Sequence, residues 1–424
     1  MAHQDDTEAQ EQASPGQNPV LDPVPDGGFE AWLHVLGSWV VSVNTWGIIS
    51  SFGPWLTYYH KGLLIEVSAS DLSWIGSLQA ALLLFVGPIA GPLYDAGYLK
   101  QLLWAGLFLI LFGLFMASLC TTYWQLIVAQ GVCVGIGCGL TFLPSTASLS
   151  QYFCRRRSLA IGLASTGSPI AGMVIPIILG KLIPKIGLPW ATRVVAFVLM
   201  ALSIIPLSTM RIRIPQSSQK RSLIDKRALR DVPFLLCSLG TATSFLTLYI
   251  AYFYIQLFAI EFDIASLGFS NYFVTILSAG SIVGRVSLNY AADKVGPLNM
   301  LALVTFISGI LSLAWLGIRG IGELAAFALL YGCFSGGLMS ISLSVVASLT
   351  PDLSLLGTRM GMASVALSFA MLCGPPVGGA ILKSNTEKAW LATIGYSAAA
   401  LLLGSFALFA SRVTLYRKYR MLRA

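Results

Sequence analysis

The sequence predicts an all-α integral membrane protein: twelve transmembrane helices in two pseudo-symmetric six-helix bundles. Three observations predict it. Of 424 residues, 56% are hydrophobic and 10% charged, against about 25% charged in a soluble domain. Apolar runs of roughly 20 residues, enough to cross a hydrocarbon core of about 30 Å, recur from residue 31 almost to the end. One polar, basic bridge, residues 211–233, divides these runs into two sets of six, the mark of a duplicated transporter bundle.

Residues 1–30 carry Asp5, Asp6, Glu8, Glu11, Asp22, Asp26 and Glu30 with no Lys or Arg and no apolar core, so they predict a disordered acidic tail and no signal peptide. The first bundle, 31–210, holds candidate spans 31–57, 71–93, 101–119, 124–150, 158–182 and 190–210. The second, 234–411, holds 234–261, 268–291, 298–317, 322–349, 358–382 and 388–411, followed by a basic tail, 412–424. Small residues let spans approach one another: Gly131, Gly135 and Gly139 in the fourth, Gly280 and Gly284 in the eighth. Gly374, Gly378 and Gly379 surround Pro375 and Pro376 in the eleventh, where prolines permit a bend.

Charge orients the spans. With the amino terminus inside, eighteen Lys and Arg fall on inner loops and seven on outer ones, and Arg285 completes the 26. The positive-inside bias therefore predicts both termini in the cytoplasm, and a plasma-membrane location is the expectation. Arg155, Arg156 and Arg157 suit anionic lipid headgroups at the inner end of span five. The net charge of +8 does not point to nucleic acid, because the basic residues flank spans instead of covering one soluble face.

The seven cysteines sit mostly inside apolar runs, and with the three histidines, His3, His34 and His60, they show no metal-ligand spacing. No metal or cofactor is expected, and a membrane enzyme lacks the residue cluster it would need. The bilayer and a small-molecule substrate are the expected partners; the oligomeric state is open, and a monomer suffices.

The two halves echo each other at the ends of their second spans. GPLYDAGYLK, 91–100, and NYAADKVGPL, 289–298, each place an aspartate and then a glycine at an inner turn: Asp95 with Gly97, and Asp293 with Lys294 and Gly296. A gating lock and a plain turn both fit this pattern. These turns resemble the repeated loop signature of the major facilitator superfamily, with Ala96 and Tyr98 where the first copy usually has basic residues. PDGGFEAW, 25–32, and YFCRRRSLAIGLASTGSPIAG, 152–172, resemble the two signatures of its monocarboxylate-porter family, especially fungal members. The resemblance implies twelve helices, alternating access and a cavity between the halves. It also implies that Arg285 matches the span-eight arginine of lactate-type carriers. Ser281 stands where those carriers place an aspartate, and Ser50 or a neighbour stands where they place a lysine in span one.

On physical grounds Arg285 lies eight residues before Asp293, about 12 Å up a helix and so near the midplane. An arginine there costs about 2.5–3.5 kcal/mol on insertion scales and calls for a wet cavity or a partner. Ser278, Ser281, Arg285 and Asn289 share one helical face. Two readings stand: contact with an anionic or carbonyl-bearing substrate, or a structural arginine on backbone carbonyls or another span's carboxylate. Asn44, Ile48, Ser51 and Trp55 share a face of span one, while Gln79, Gln130, Tyr249, Tyr252 and Gln256 add polar groups in spans two, four and seven. Each could line a polar-and-aromatic pocket or serve as an interhelical hydrogen bond. No acidic residue falls near a predicted midplane, so proton coupling and facilitation both stay open.

The expected function is secondary transport of an organic anion or small metabolite, with export of a fungal secondary metabolite as one form of it. Proton-coupled uptake of a small monocarboxylate is the alternative. A transporter-like nutrient sensor is more remote, because the tails are short.

Overall fold

The architecture is all-helical in a computed structural model, which describes residues 27–149, 151–153, 157–212, 227–350, 356–384 and 386–423. Eleven of its helices are long and apolar enough to cross a membrane. They run, in order, over Phe29–Leu63 (α1), Ala69–Tyr94 (α2), Leu99–Ala117 (α3), Tyr123–Leu149 (α4) and Ala160–Thr209, then Val232–Glu261 (α7), Leu267–Ala292 (α8), Pro297–Gly317 (α9), Ile321–Val346 (α10), Arg359–Ile381 (α11) and Glu387–Arg417 (α12). The stretch 160–209 is two legs joined end to end. Gly187 breaks it with φ 76°, a left-handed conformation that a Cβ disfavours, into α5 (160–186) and α6 (188–209). Twelve legs result, as the apolar runs predict.

Glycine also ends α2 and α8. Gly97 (φ 95°) and Gly296 (φ 99°) turn the chain into α3 and α9. Lys294 lays its ammonium 4.4 Å from the centre of the Tyr290 ring. The side chains of Asp95 and Asp293 lie outside the described residues, as do 1–26 and 213–226.

Within the halves, glycine faces set the packing distances. A Cβ on Gly135 would meet the Gln79 backbone at 3.0 Å, and one on Gly139 would meet the Leu82 carbonyl at 2.9 Å, so α4 lies close on α2. Gly280 and Gly284 of α8 press on the backbone of Leu329 and Cys333 in α10, and Gly332 and Gly336 of α10 press back on Leu277 and Ser281. Such mutual contact holds α8 and α10 as a rigid pair.

Helix α1 departs from the regular period. Val43–Gly47 is π-helical, and Ser51 (φ −93°, ψ 7°) breaks the helix again before Phe52. The face predicted for Asn44, Ile48, Ser51 and Trp55 is shared as expected by Asn44, Ser51 and Trp55, but it is turned into its own half. Asn44 donates to Ser203 of α6 at 3.0 Å, Ser51 to the Ala171 carbonyl of α5 at 3.3 Å, and the Trp55 indole to Thr192 of α6 at 3.3 Å. The face of α1 turned toward the other half carries Trp46 and Gly53 instead.

Two polar ties sit nearer the face that bears the termini. His34 is buried, donates through Nδ1 to the Glu30 carbonyl (2.9 Å), accepts the Arg211 N–H on Nε2 (2.9 Å) and stacks on Tyr152, which fastens the start of α1 to the end of α6. Arg359, at the start of α11, pairs with Asp231, just ahead of α7, at 3.2 Å and also donates to the Leu349 carbonyl at 3.3 Å. Side-chain exposures of 6% and 11% make this a buried pair, so losing one partner removes a main support of the other charge. Arg359→Met alone is expected to cost about 3–5 kcal/mol. The double variant Asp231→Leu with Arg359→Met should recover most of that loss, read as melting temperature in detergent; equal losses in both would show that the pair is not what stabilises this end.

Candidate functional site

The two halves meet along three helix pairs. Across α5 and α8, Thr275 donates to the Met173 carbonyl at 3.3 Å, and a Cβ on Gly172 would lie 2.5 Å from Ser278 Oγ. Across α2 and α11, Ser70 donates to the Pro376 carbonyl at 2.7 Å. Across α1 and α7, Lys61 pairs with Glu261 at 2.7 Å, Phe52 packs on Phe253 with centroids 5.1 Å apart, and Gly53 approaches the Tyr252 carbonyl. All of the α1–α7 contacts lie between the Trp46–Tyr249 ring pair and the face away from the termini. On the terminal side of that ring pair, among the described residues, no hydrogen bond, ion pair or ring contact joins α1 to α7. Between α2 and α11 the halves stay in contact on the terminal side as well, where a Cβ on Gly361 would lie 3.4 Å from Pro88.

Arg285 sits in this seam. It is 7% exposed and reaches three groups. Its Nε donates to Ser281 Oγ (3.4 Å) one turn back on α8, one terminal nitrogen to the Ser165 carbonyl of α5 (3.1 Å), and the other to Met339 Sδ of α10 (3.3 Å). The Ser165 contact crosses between the halves. Its cause is local sequence. In an α-helix the Ser165 carbonyl would accept from the N–H four residues on, but residue 169 is proline and has none. Helix α5 breaks at Thr166, between Arg157–Ser165 and Gly167–Thr209. A proline in α5 thus frees a carbonyl, and an arginine in α8 takes it.

The environment of the guanidinium is neutral. A carbonyl, a hydroxyl and a thioether are its partners, and among the described residues no carboxylate pairs with it. Its charge remains largely uncompensated inside the apolar region, where it draws acceptor oxygens and negative charge. Tyr249 and Tyr252 of α7 stand close by, their rings 5.2 Å apart. Tyr249 OH reaches the same Met339 sulfur at 3.8 Å, and Tyr252 OH lies 3.5 Å from Ser335 Oγ of α10. Trp46 faces Tyr249 across the seam and packs edge-on against Phe142 of α4.

The structure brings some of the expected site residues together and separates others. Arg285, Ser281 and Tyr252 belong to the seam cluster. Asn289 donates both to the Arg285 carbonyl at 2.6 Å and to Ser340 Oγ at 2.5 Å, one turn toward the terminal face. Asn44 donates to Ser203 and Gln130 accepts from Tyr59 OH at 2.7 Å, both inside the first half, while Asn44 Oδ1 and Gln130 Nε2 have no hydrogen-bond partner among the described residues. Gln79 and Gln256 are fully buried, and among the described residues neither amide has a hydrogen-bond partner. Ser278 Oγ, on the Arg285 face of α8, is likewise unpartnered. Sequence reasoning missed Ser165, Trp46 and Met339. Pro169 was the available signal for Ser165, since a helical proline always leaves a carbonyl four residues back without its donor.

Comparison with known proteins agrees with this architecture. The family model of the Major Facilitator Superfamily matches residues 34–322 and 274–420. The chain is similar to the MFS-type transporter dbaD of Emericella nidulans, 40% identical over 90% of this chain and 86% of that protein. It is also similar to the aspyridones efflux protein apdF of the same organism (33% identical, 94% and 81% covered) and to the fujikurins efflux protein of Gibberella fujikuroi (33%, 94% and 86%). Among solved structures, the nucleoside transporter NupG superposes with a TM-score of 0.70 at 16% identity, over 89% of this chain and 99% of that one, a likeness of fold. The matched residues span nearly the whole membrane region, and the chain belongs to the Major Facilitator Superfamily.

Proposed function

We propose that this chain is a fungal metabolite exporter that carries an organic molecule bearing an acidic or carbonyl oxygen. Its two six-helix halves would alternate access to a site at the seam. One observation carries the reading: a buried guanidinium between the halves whose partners are all neutral. A cargo oxygen supplies what the Ser165 carbonyl supplies in its absence, with a stronger, charge-assisted bond where the oxygen is anionic. Binding then exchanges a contact between the halves for a contact to cargo. Two similar fungal proteins are efflux proteins by name, for aspyridones and for fujikurins, which favours export.

Within the superfamily we place the chain beside the monocarboxylate-porter type, on the signatures at 25–32 and 152–172. Ser281 in place of that type's aspartate leaves Arg285 without an internal counter-ion, which favours a carrier of larger, less charged cargo over lactate-like uptake. We place the termini in the cytoplasm and the protein in the plasma membrane, on the excess of Lys and Arg at the terminal face. Gln79 and Gln256, with unspent amides, are the next candidates to line the passage in another state.

Comparing metabolites in cells and medium, with and without the gene expressed, tests the assignment. Arg285→Gln should lower export of the affected compound at least about tenfold, the loss of one interaction worth about 1.4 kcal/mol, at unchanged membrane abundance. Full export by that variant would move the site elsewhere. Pro169→Ala returns a donor to the Ser165 carbonyl and loosens its hold on Arg285. The half-saturating cargo concentration should fall about 3- to 10-fold in membrane vesicles; an unchanged or higher value would show that the carbonyl does not compete with cargo.

A further inference from the structure

The rings of Trp46 on α1 and Tyr249 on α7 face each other from opposite halves. Their centroids are 6.4 Å apart and their planes differ by 24°. Neighbouring aromatic rings favour offset contact, and these two belong to bodies that must move apart during transport, so their separation makes room for a flat guest that meets a ring on each side. Trp46 owes its direction to the π-helical turn Val43–Gly47 and is half-buried. Toward the terminal face from this ring pair, among the described residues, no hydrogen bond, ion pair or ring contact joins α1 to α7. Tyr249 is held on its other side through Met339 Sδ, the same sulfur that Arg285 touches. A flat guest between the rings would therefore lie beside the guanidinium.

We propose that Trp46 and Tyr249 form an aromatic clamp, so that the cargo class is planar and conjugated, with an acidic oxygen attached to or near its ring system. The clamp accepts a flat ring because each face meets a π-system in offset contact. A saturated ring of the same skeleton is thicker and needs a wider gap. Ser278, whose buried hydroxyl has no partner among the described residues, supplies a further polar contact on the Arg285 face of α8. The clamp sets which rings fit; Arg285 sets which charge. The proposal rests on the seam site assigned above.

The test uses two probes of equal charge and similar outline, 2-naphthoate and decahydro-2-naphthoate. Affinity is read from melting-temperature titrations of the purified full chain in nanodiscs. Naphthoate should bind about tenfold or more tightly than its saturated counterpart. Trp46→Leu should remove most of that preference, and Trp46→Phe, which keeps a flat ring, should retain it. Unliganded melting temperatures identify a variant that merely fails to fold. Equal affinity for the two acids, or a preference that survives Trp46→Leu, overturns the clamp; if Arg285→Gln then still abolishes binding of both, the seam site itself stands. Failure of naphthoate to bind overturns the clamp as well. Binding of both acids unchanged by Arg285→Gln overturns the seam site.

Discussion

A positive charge inside an apolar region has to be met by something, and here it is met only by neutral groups. That constraint organises the seam. Arg285 would cost a few kcal/mol if left facing hydrocarbon. The protein reduces this cost with a carbonyl that its own helix cannot use. Pro169 withholds the donor, Ser165 presents the oxygen, and the guanidinium closes the gap at 3.1 Å. The oxygen and the arginine belong to different halves, so a local peculiarity of α5 becomes a contact between bodies.

The rest of the structure makes that contact specific. Glycine-to-backbone packing joins α8 to α10 rigidly, which fixes the arginine between Ser281 and Met339. The Lys61–Glu261 pair, the Phe52–Phe253 contact and the Ser70–Pro376 bond hold the halves together at the face away from the termini. A part-exposed ion pair contributes about 0–1 kcal/mol, so the Lys61–Glu261 pair adds little to what the packing beside it supplies. A carrier needs a balance. Contacts too strong at either face would trap one state, whereas in the proposed cycle a neutral carbonyl on the arginine gives way to a cargo oxygen.

Much of the fold was legible in the residues. Run lengths, the basic bridge and the glycines after Asp95 and Asp293 sufficed for twelve helices with turns at the right places. Packing glycines in α4 and α8 could be recognised by spacing. Asn44, Ser51 and Trp55 do share a face of α1, but spacing does not say which half that face meets: it packs into its own half, and Trp46 meets the other. That Arg285 needs a partner inside the protein was readable from its position in an apolar run. Its partner was not, because Ser165 lies 120 residues away and contributes a backbone atom. The Asp231–Arg359 pair escaped for a related reason: each residue sits at a helix end, where a charge ordinarily meets water.

The most direct measurement is a cargo-bound structure of the full chain in a lipid environment, resolved well enough to place the Arg285 guanidinium. The account predicts that the guanidinium has left the Ser165 carbonyl and donates to an oxygen of the cargo between α5, α7 and α8. A guanidinium still seated on Ser165, with cargo bound at a distance from it, would contradict the account.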